Sequence, residues 1–223
     1  MPLVAAAVCP HPPLILPRLA AGAVPELDRL RAACAEAVAA LRHARAERLV
    51  VVGSAPATGW LDPPYGGTFA PWGEPVALGA PGCELPLSLL VGLWLLGRQP
   101  DRMLGVAADA PPDECAALGA EAVAGMSVAL LVMGDGSARL QEKSPGYADP
   151  RAPAFDRTVA EALAAGDPAA FAALDPGLAA DLWVAGRAPW QVLAGAAGPS
   201  RRTAVLRHDE APYGVGYFVA SWS

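Results

Sequence analysis

Four short runs of apolar residues, Leu3–Val8, Leu49–Gly53, Met103–Ala107 and Ser127–Met133, constrain the fold more than any other feature of this chain. They are continuous rather than alternating, as strands covered on both faces are. Helical stretches separate them. Pro25–Arg45 sets Leu27, Leu30, Cys34, Val38 and Leu41 on one stripe with charged residues opposite, and Pro86–Gly97 and Pro112–Ala124 follow. Strand–helix–strand alternation predicts an α/β chain with a central, mostly parallel or mixed sheet between two helical layers, formed as a single domain over residues 1–223. The last third changes character. Ala152–Ala165, Pro168–Leu174, Pro176–Val184 and Pro189–Ala196 read as short helices, several opened by proline in the first turn. Thr203–His208 and Val215–Trp222 then read as closing strands, joined by Ala211-Pro212-Tyr213-Gly214 as an antiparallel hairpin.

Composition narrows the function classes. At 223 residues and 54% hydrophobic, the chain can bury a sizeable core without disulfide or metal staples. A net charge of −6 argues against a nucleic-acid partner, which needs a clustered basic face. The N-terminal run lacks a positive leader and stops at Cys9-Pro10, and the longest apolar stretch, Leu85–Gly97, is too short to span a bilayer. Cys9, Cys34, Cys83 and Cys115 show no C-x-x-C spacing and read as reduced thiols. A soluble cytoplasmic protein without membrane contact is the expectation. Ser54–Cys83 is rich in Pro, Gly and aromatics, and reads either as a lid over a site or as a surface loop pinned by its own rings.

In open α/β sheets, ligands collect beyond the carboxyl ends of the strands. Three such ends carry polar or kinked turns: Cys9-Pro10-His11-Pro12-Pro13, Gly53-Ser54-Ala55-Pro56 and Gly134-Asp135-Gly136-Ser137-Ala138-Arg139. His11, held between prolines, is a candidate metal ligand or general base, because its backbone freedom is already restricted. Asp135 is a candidate base, ligand or turn cap, and Ser137 a candidate nucleophile in a Ser137/His11/Asp135 set, although the run is no G-x-S-x-G elbow. Ser54, Arg139, Arg187 and Tyr213 are candidate ligand-binding side chains, the arginines suited to a carboxylate or phosphate. His43 reads as solvated surface and His208 as an edge residue. No dinucleotide fingerprint or P-loop occurs.

The order and spacing of these residues resemble the class III extradiol dioxygenase superfamily, which includes the Memo proteins. The likeness rests on Pro10-His11-Pro12, Val51-Val52-Gly53-Ser54, the run Gly134 to Leu140, Phe155-Asp156, Ala185-Gly186-Arg187-Ala188-Pro189 and Ala211 to Tyr217. The resemblance implies a three-layer α/β/α fold like the catalytic B subunit of those enzymes. In the dioxygenase members two histidines and a carboxylate hold ferrous iron, and a further histidine moves protons on the catechol. Carried across, His11 matches the first ligand. Ser54-Ala55-Pro56 stands where the second histidine is expected, Ala138 replaces the acid/base histidine, and Ala185 replaces the Memo-type cysteine.

Three readings are open. The first is a repurposed or catalytically silent relative that binds a small molecule through His11, Asp135, Ser137 and Arg139, with no tightly bound cofactor. The second is a metal-dependent ring-cleaving enzyme of rearranged site, His11 joining Asp135, Asp181, His208 or Glu210 around a divalent metal (iron, or zinc or manganese). The third is a non-catalytic subunit or interaction protein. The resemblance admits a homodimer, and Trp60, Trp72, Trp183 and Trp190 are either interface anchors or core.

Overall fold

The computed structural model describes residues 3–223. Its strands are β1 (Leu3–Cys9), β2 (Arg48–Ala55), β3 (Gly59–Leu61), β4 (Gly66–Thr68), β5 (Ala77–Gly79), β6 (Arg102–Ala107), β7 (Val128–Met133), β8 (Ala204–Glu210) and β9 (Tyr217–Trp222). Its helices are α1 (Pro17–Ala20), α2 (Asp28–His43), α3 (Leu87–Leu96), α4 (Pro112–Ala122), α5 (Ala152–Ala165), α6 (Pro168–Ala172), α7 (Pro176–Asp181) and α8 (Arg187–Ala197). Seven strands form one sheet in the order β3-β6-β2-β7-β1-β9-β8. The four apolar runs make its parallel centre, β6-β2-β7-β1, and β3, β9 and β8 complete it antiparallel. Helices cover both faces, so the fold is three-layer α/β/α with a mixed sheet. Among the described residues no helix is long and apolar enough to cross a membrane.

Alternation along each strand divides the core in two. Val50, Val52, Leu130 and Val132 face the α4–α8 layer, and Leu49, Val51, Ala129 and Leu131 face α2 and α3. The α2 stripe read from sequence, Leu30, Cys34, Val38 and Leu41, is buried as expected, although the helix begins at Asp28 and Pro25 lies in a preceding 3-10 turn. Under α8 an aromatic stack joins Trp190, Phe171 and Trp222, with centroids 6.0 and 5.6 Å apart, which settles Trp190 as core. Trp60 packs beneath the Arg102 guanidinium at 4.1 Å, whereas Trp72 and Trp183 are exposed.

The Ser54–Cys83 stretch is not a free lid. It contributes β3 to the sheet edge, folds β4 and β5 into a small ladder, and buries Tyr65 and Phe69. The pinned-loop alternative therefore holds.

Helices α4 and α8 touch backbone to backbone. A Cβ on Gly119 would lie 2.0 Å from the Val192 carbonyl oxygen, and one on Gly195 would lie 2.2 Å from that of Ala116. Gly119→Ala gains about 1 kcal/mol of helix propensity but must separate two backbones, so a net loss of about 1–3 kcal/mol is expected. Urea unfolding of the two proteins checks it, and an unchanged midpoint would refute the close crossing.

Candidate functional site

Sheet register builds the site. β1, β2 and β7 are aligned so that Cys9 and Gly53 both sit opposite Met133, and β6 pairs Gly105 with Gly53. The turns after these strands therefore leave one edge together, bringing Pro10-His11, Ser54 and Gly134-Asp135 to the same side. Gly134 donates its N–H to the Cys9 carbonyl at 2.9 Å, extending the β1–β7 ladder into the turns.

His11 and Asp135 meet there. The His11 backbone N–H donates to Asp135 Oδ1 at 2.7 Å, and His11 Nδ1 lies 3.6 Å from the same oxygen. The imidazole is 7% exposed, and its Nδ1 has no hydrogen-bond partner. Burial pushes the Asp135 carboxyl above its ordinary value, opposed by nearby His11 and by the backbone N–H. Burial and the Asp135 charge raise the Tyr217 phenol. On the other side, a hydrogen bond to Cys9 and burial raise the Cys34 thiol, with a smaller contribution from Asp135. Imidazole and carboxylate thus stand together on this edge, with the His11 Nδ1 left without a partner.

The other candidate side chains are engaged in structural contacts or lie away from this pair. Ser137 is fully buried, its hydroxyl donating to the Leu182 carbonyl at 3.0 Å and accepting from the Arg139 N–H, so it braces the turn and is no free nucleophile. Arg139 is spent on the Asp181 carbonyl at 2.8 Å, away from the His11–Asp135 pair. Arg187, 1% exposed, donates to the Ala110 carbonyl, to Gln191 and to the Ala108 carbonyl, so its guanidinium is closed to a ligand. Tyr213 donates to Glu26 at 2.9 Å, tying the β8–β9 turn to the segment before α2. Ser54 is half-buried, and its carbonyl accepts from the Ser88 hydroxyl at 2.6 Å.

The substitute ligands are also engaged elsewhere. Asp181 pairs with Arg151 at 3.0 Å and Glu210 with Arg29 at 2.7 Å. His208 is a buried residue of β8, the edge strand of the sheet as expected from sequence, opposite Val219 and on the face toward α2. A facial triad needs three donors. This edge supplies one imidazole and one carboxylate already bound to a backbone N–H, and Ala138 and Ala185 cannot ligate. These residues do not fit the iron of the dioxygenases that the sequence resembles.

Two features were not anticipated from sequence. A cavity of about 580 Å³ opens between α7 and the turn after β6, lined by Asp109, Ala180, Trp183, Val184 and Ala185 among others. It adjoins the Asp135 turn, because Gly186 donates to the Asp135 carbonyl at 2.8 Å. Trp183 is 57% exposed with φ +56°, a left-handed backbone that costs a non-glycine residue about 1–2 kcal/mol. The second feature is Asp156, whose Oδ1 accepts from the Ser137 N–H at 2.9 Å while Oδ2 has no partner. Burial pushes its carboxyl up to about 7, with Asp209 adding to the shift. Sequence marked Trp183 only as one of several tryptophans, and Asp156 only as part of a motif.

No family model matches the chain, and no curated protein matches it in sequence. Among solved structures it is similar to the crystal structure of uncharacterized protein JW3007 from Escherichia coli K12. That likeness has a TM-score of 0.61 at 15% identity and covers 99% of this chain and 100% of that one. At that identity the two chains share a fold, and the α/β/α architecture is what the likeness establishes.

Proposed function

We propose that this chain is a small-molecule-binding relative of the class III extradiol dioxygenase superfamily that works without the family's iron. The observation that carries the reading is the donor set at the strand edge: His11 and Asp135 stand together, while Ser54, Ala138 and Ala185 stand where the second histidine, the acid/base histidine and the Memo-type cysteine are expected. The cavity beside Trp183 supports the binding half of it. Largely apolar walls with one free carboxylate, Asp109, suit a small organic ligand. A bulky aromatic held exposed at a strained backbone position fits a ring used for contact.

Anaerobic loading with ferrous iron, followed by metal analysis, tests the iron-free half. Iron well below one equivalent is expected, and stoichiometric tight iron would overturn it. A fragment screen by thermal shift tests the binding half: hits that lose their effect in Trp183→Ala are expected, and their persistence would place the ligand elsewhere.

A second reading, a metal-dependent enzyme with rearranged ligands, draws on the unpartnered Nδ1 of His11 beside Asp135. Stoichiometric iron, zinc or manganese that is lost in His11→Ala would establish this reading in place of the first.

A further inference from the structure

Between α5 and the β8–β9 hairpin opens a second cavity of about 550 Å³. An irregularity in β8 between Leu206 and His208 shapes it. Leu206 opposes Ala220 and Asp209 opposes Phe218, so both face α5, while His208 turns toward α2. Leu140, Pro153, Ala160 and Leu206 give the cavity apolar walls. Asp156 on α5 forms its buried floor at 7% exposure, and Asp209 its exposed rim.

Asp156 is the odd group. Gly136 and Gly216 cradle it: a Cβ on Gly216 would lie 2.1 Å from its Oδ2, and one on Gly136 would lie 2.8 Å away. Asp156 and Gly216 both line the cavity, and Oδ2, buried against Gly216, has no hydrogen-bond partner among the described residues. A buried acceptor left unmet is costly, and the turn needs only Oδ1 of this carboxyl.

We propose that this cavity binds a small organic cation, an alkylammonium with an apolar body, its charged end between the Asp156 and Asp209 carboxylates. Charge favours a cation. Asp156, Asp209, Glu161 and Glu210 line the space against one cation, Arg157, which makes no ion pair among the described residues. Glu210 is satisfied by Arg29 at 2.7 Å, which leaves the two aspartates and Glu161. Apolar walls favour an organic cation over a metal ion, and among the described residues no three His, Cys, Asp or Glu side chains gather at metal-holding distance.

The sign of the pH dependence comes from the same groups. Asp156 faces Asp209 from β8 and shares α5 with Arg157 and Glu161, while Glu210, at the cavity's edge, pairs with Arg29 of α2. Its carboxyl ionises at about 7, so an arriving cation displaces its proton, and binding tightens as pH rises from below that value.

Titration of the full chain with n-butylammonium chloride, with n-butanol and sodium butyrate as neutral and anionic counterparts, tests the proposal by calorimetry at pH 6 and pH 8. Saturable binding of the amine alone, tighter at pH 8, is expected. Asp209→Asn, on the exposed rim, is expected to weaken it by about tenfold, and Asp156→Asn by at least as much. His11→Ala should leave it unchanged, which separates this site from the strand-edge reading. No saturable amine binding, equal binding of butanol, or an undiminished affinity in Asp209→Asn would overturn the proposal, whether or not Asp156→Asn folds.

Discussion

Stability is expected to fall by up to about 4 kcal/mol as pH rises from about 4 to about 7, and Asp156→Asn to remove that loss. Asp156 ionises at about 7 in the folded chain, against an ordinary 3.8. The unfolded chain releases this proton from about pH 4 upward, while the folded chain holds it until about 7. The folded state therefore binds more protons across that window. The contribution is complete below the unfolded value, is lost as pH rises through the folded one, and stays constant above it. Asparagine keeps the oxygen that accepts from the Ser137 N–H but cannot ionise. Its amide nitrogen takes the unmet position of Oδ2 between Gly136 and Gly216, at a cost of about 1–3 kcal/mol. The variant should thus be the less stable protein at pH 4.5 and the more stable one at pH 8. Asp135, also raised by burial, titrates in both proteins and cancels in the comparison. Urea midpoints at three pH values decide the matter, and parallel profiles would refute the buried-acid account.

Arg187→Ala is expected to lower the unfolding free energy by about 3–5 kcal/mol, an apparent Tm drop of about 10 °C for a chain of this length. The guanidinium is buried and bonded to the Ala110 carbonyl at 2.6 Å and to Gln191 at 2.8 Å, as well as to the Ala108 carbonyl. It pins the turn after β6 to the start of α8. Alanine leaves the buried Ala110 carbonyl with only the weak Cys115 thiol as donor and opens a void under α8. Lysine should restore little, because one ammonium on a flexible stem cannot span acceptors that a planar fork meets at once. A loss under 1 kcal/mol for alanine, or full rescue by lysine, would show that the fork geometry is not what holds the turn.

The parallel centre of the sheet was legible because it depends on local pattern. Leu49–Gly53 and Ser127–Met133 are apolar on both faces, and only a covered strand accommodates that. His11 and Asp135 were legible for a related reason: a strand edge gathers the turns that leave its strands, and register aligned Cys9 with Met133. The arginines were not. Arg139, in a turn, and Arg187, at the start of α8, read as ligand-binding side chains, but a guanidinium goes to whichever carbonyls the tertiary fold leaves open, and those come from residues 42 and 79 positions away. Ser137 misled similarly, since a hydroxyl in a glycine turn looks free until Leu182 is placed against it. The strands inside Ser54–Cys83 escaped notice because three-residue ladders carry no periodicity. Both cavities depend on how α5 and α7 pack against segments distant in sequence, which spacing along the chain does not encode.

The place of β1 in the sheet has a consequence for how the molecule comes to be made. Its neighbours are β7 and β9, so the earliest apolar strand in the chain meets no partner until residue 128 has joined it. Leu3–Cys9 must stay out of contact with other chains until β7 has been made, and such long-range parallel pairing closes slowly. Truncations ending before β7 leave this strand and β2 with bare, sticky edges. Such fragments should collect in inclusion bodies or on chaperones, and co-expression of the missing C-terminal half should draw them back into solution.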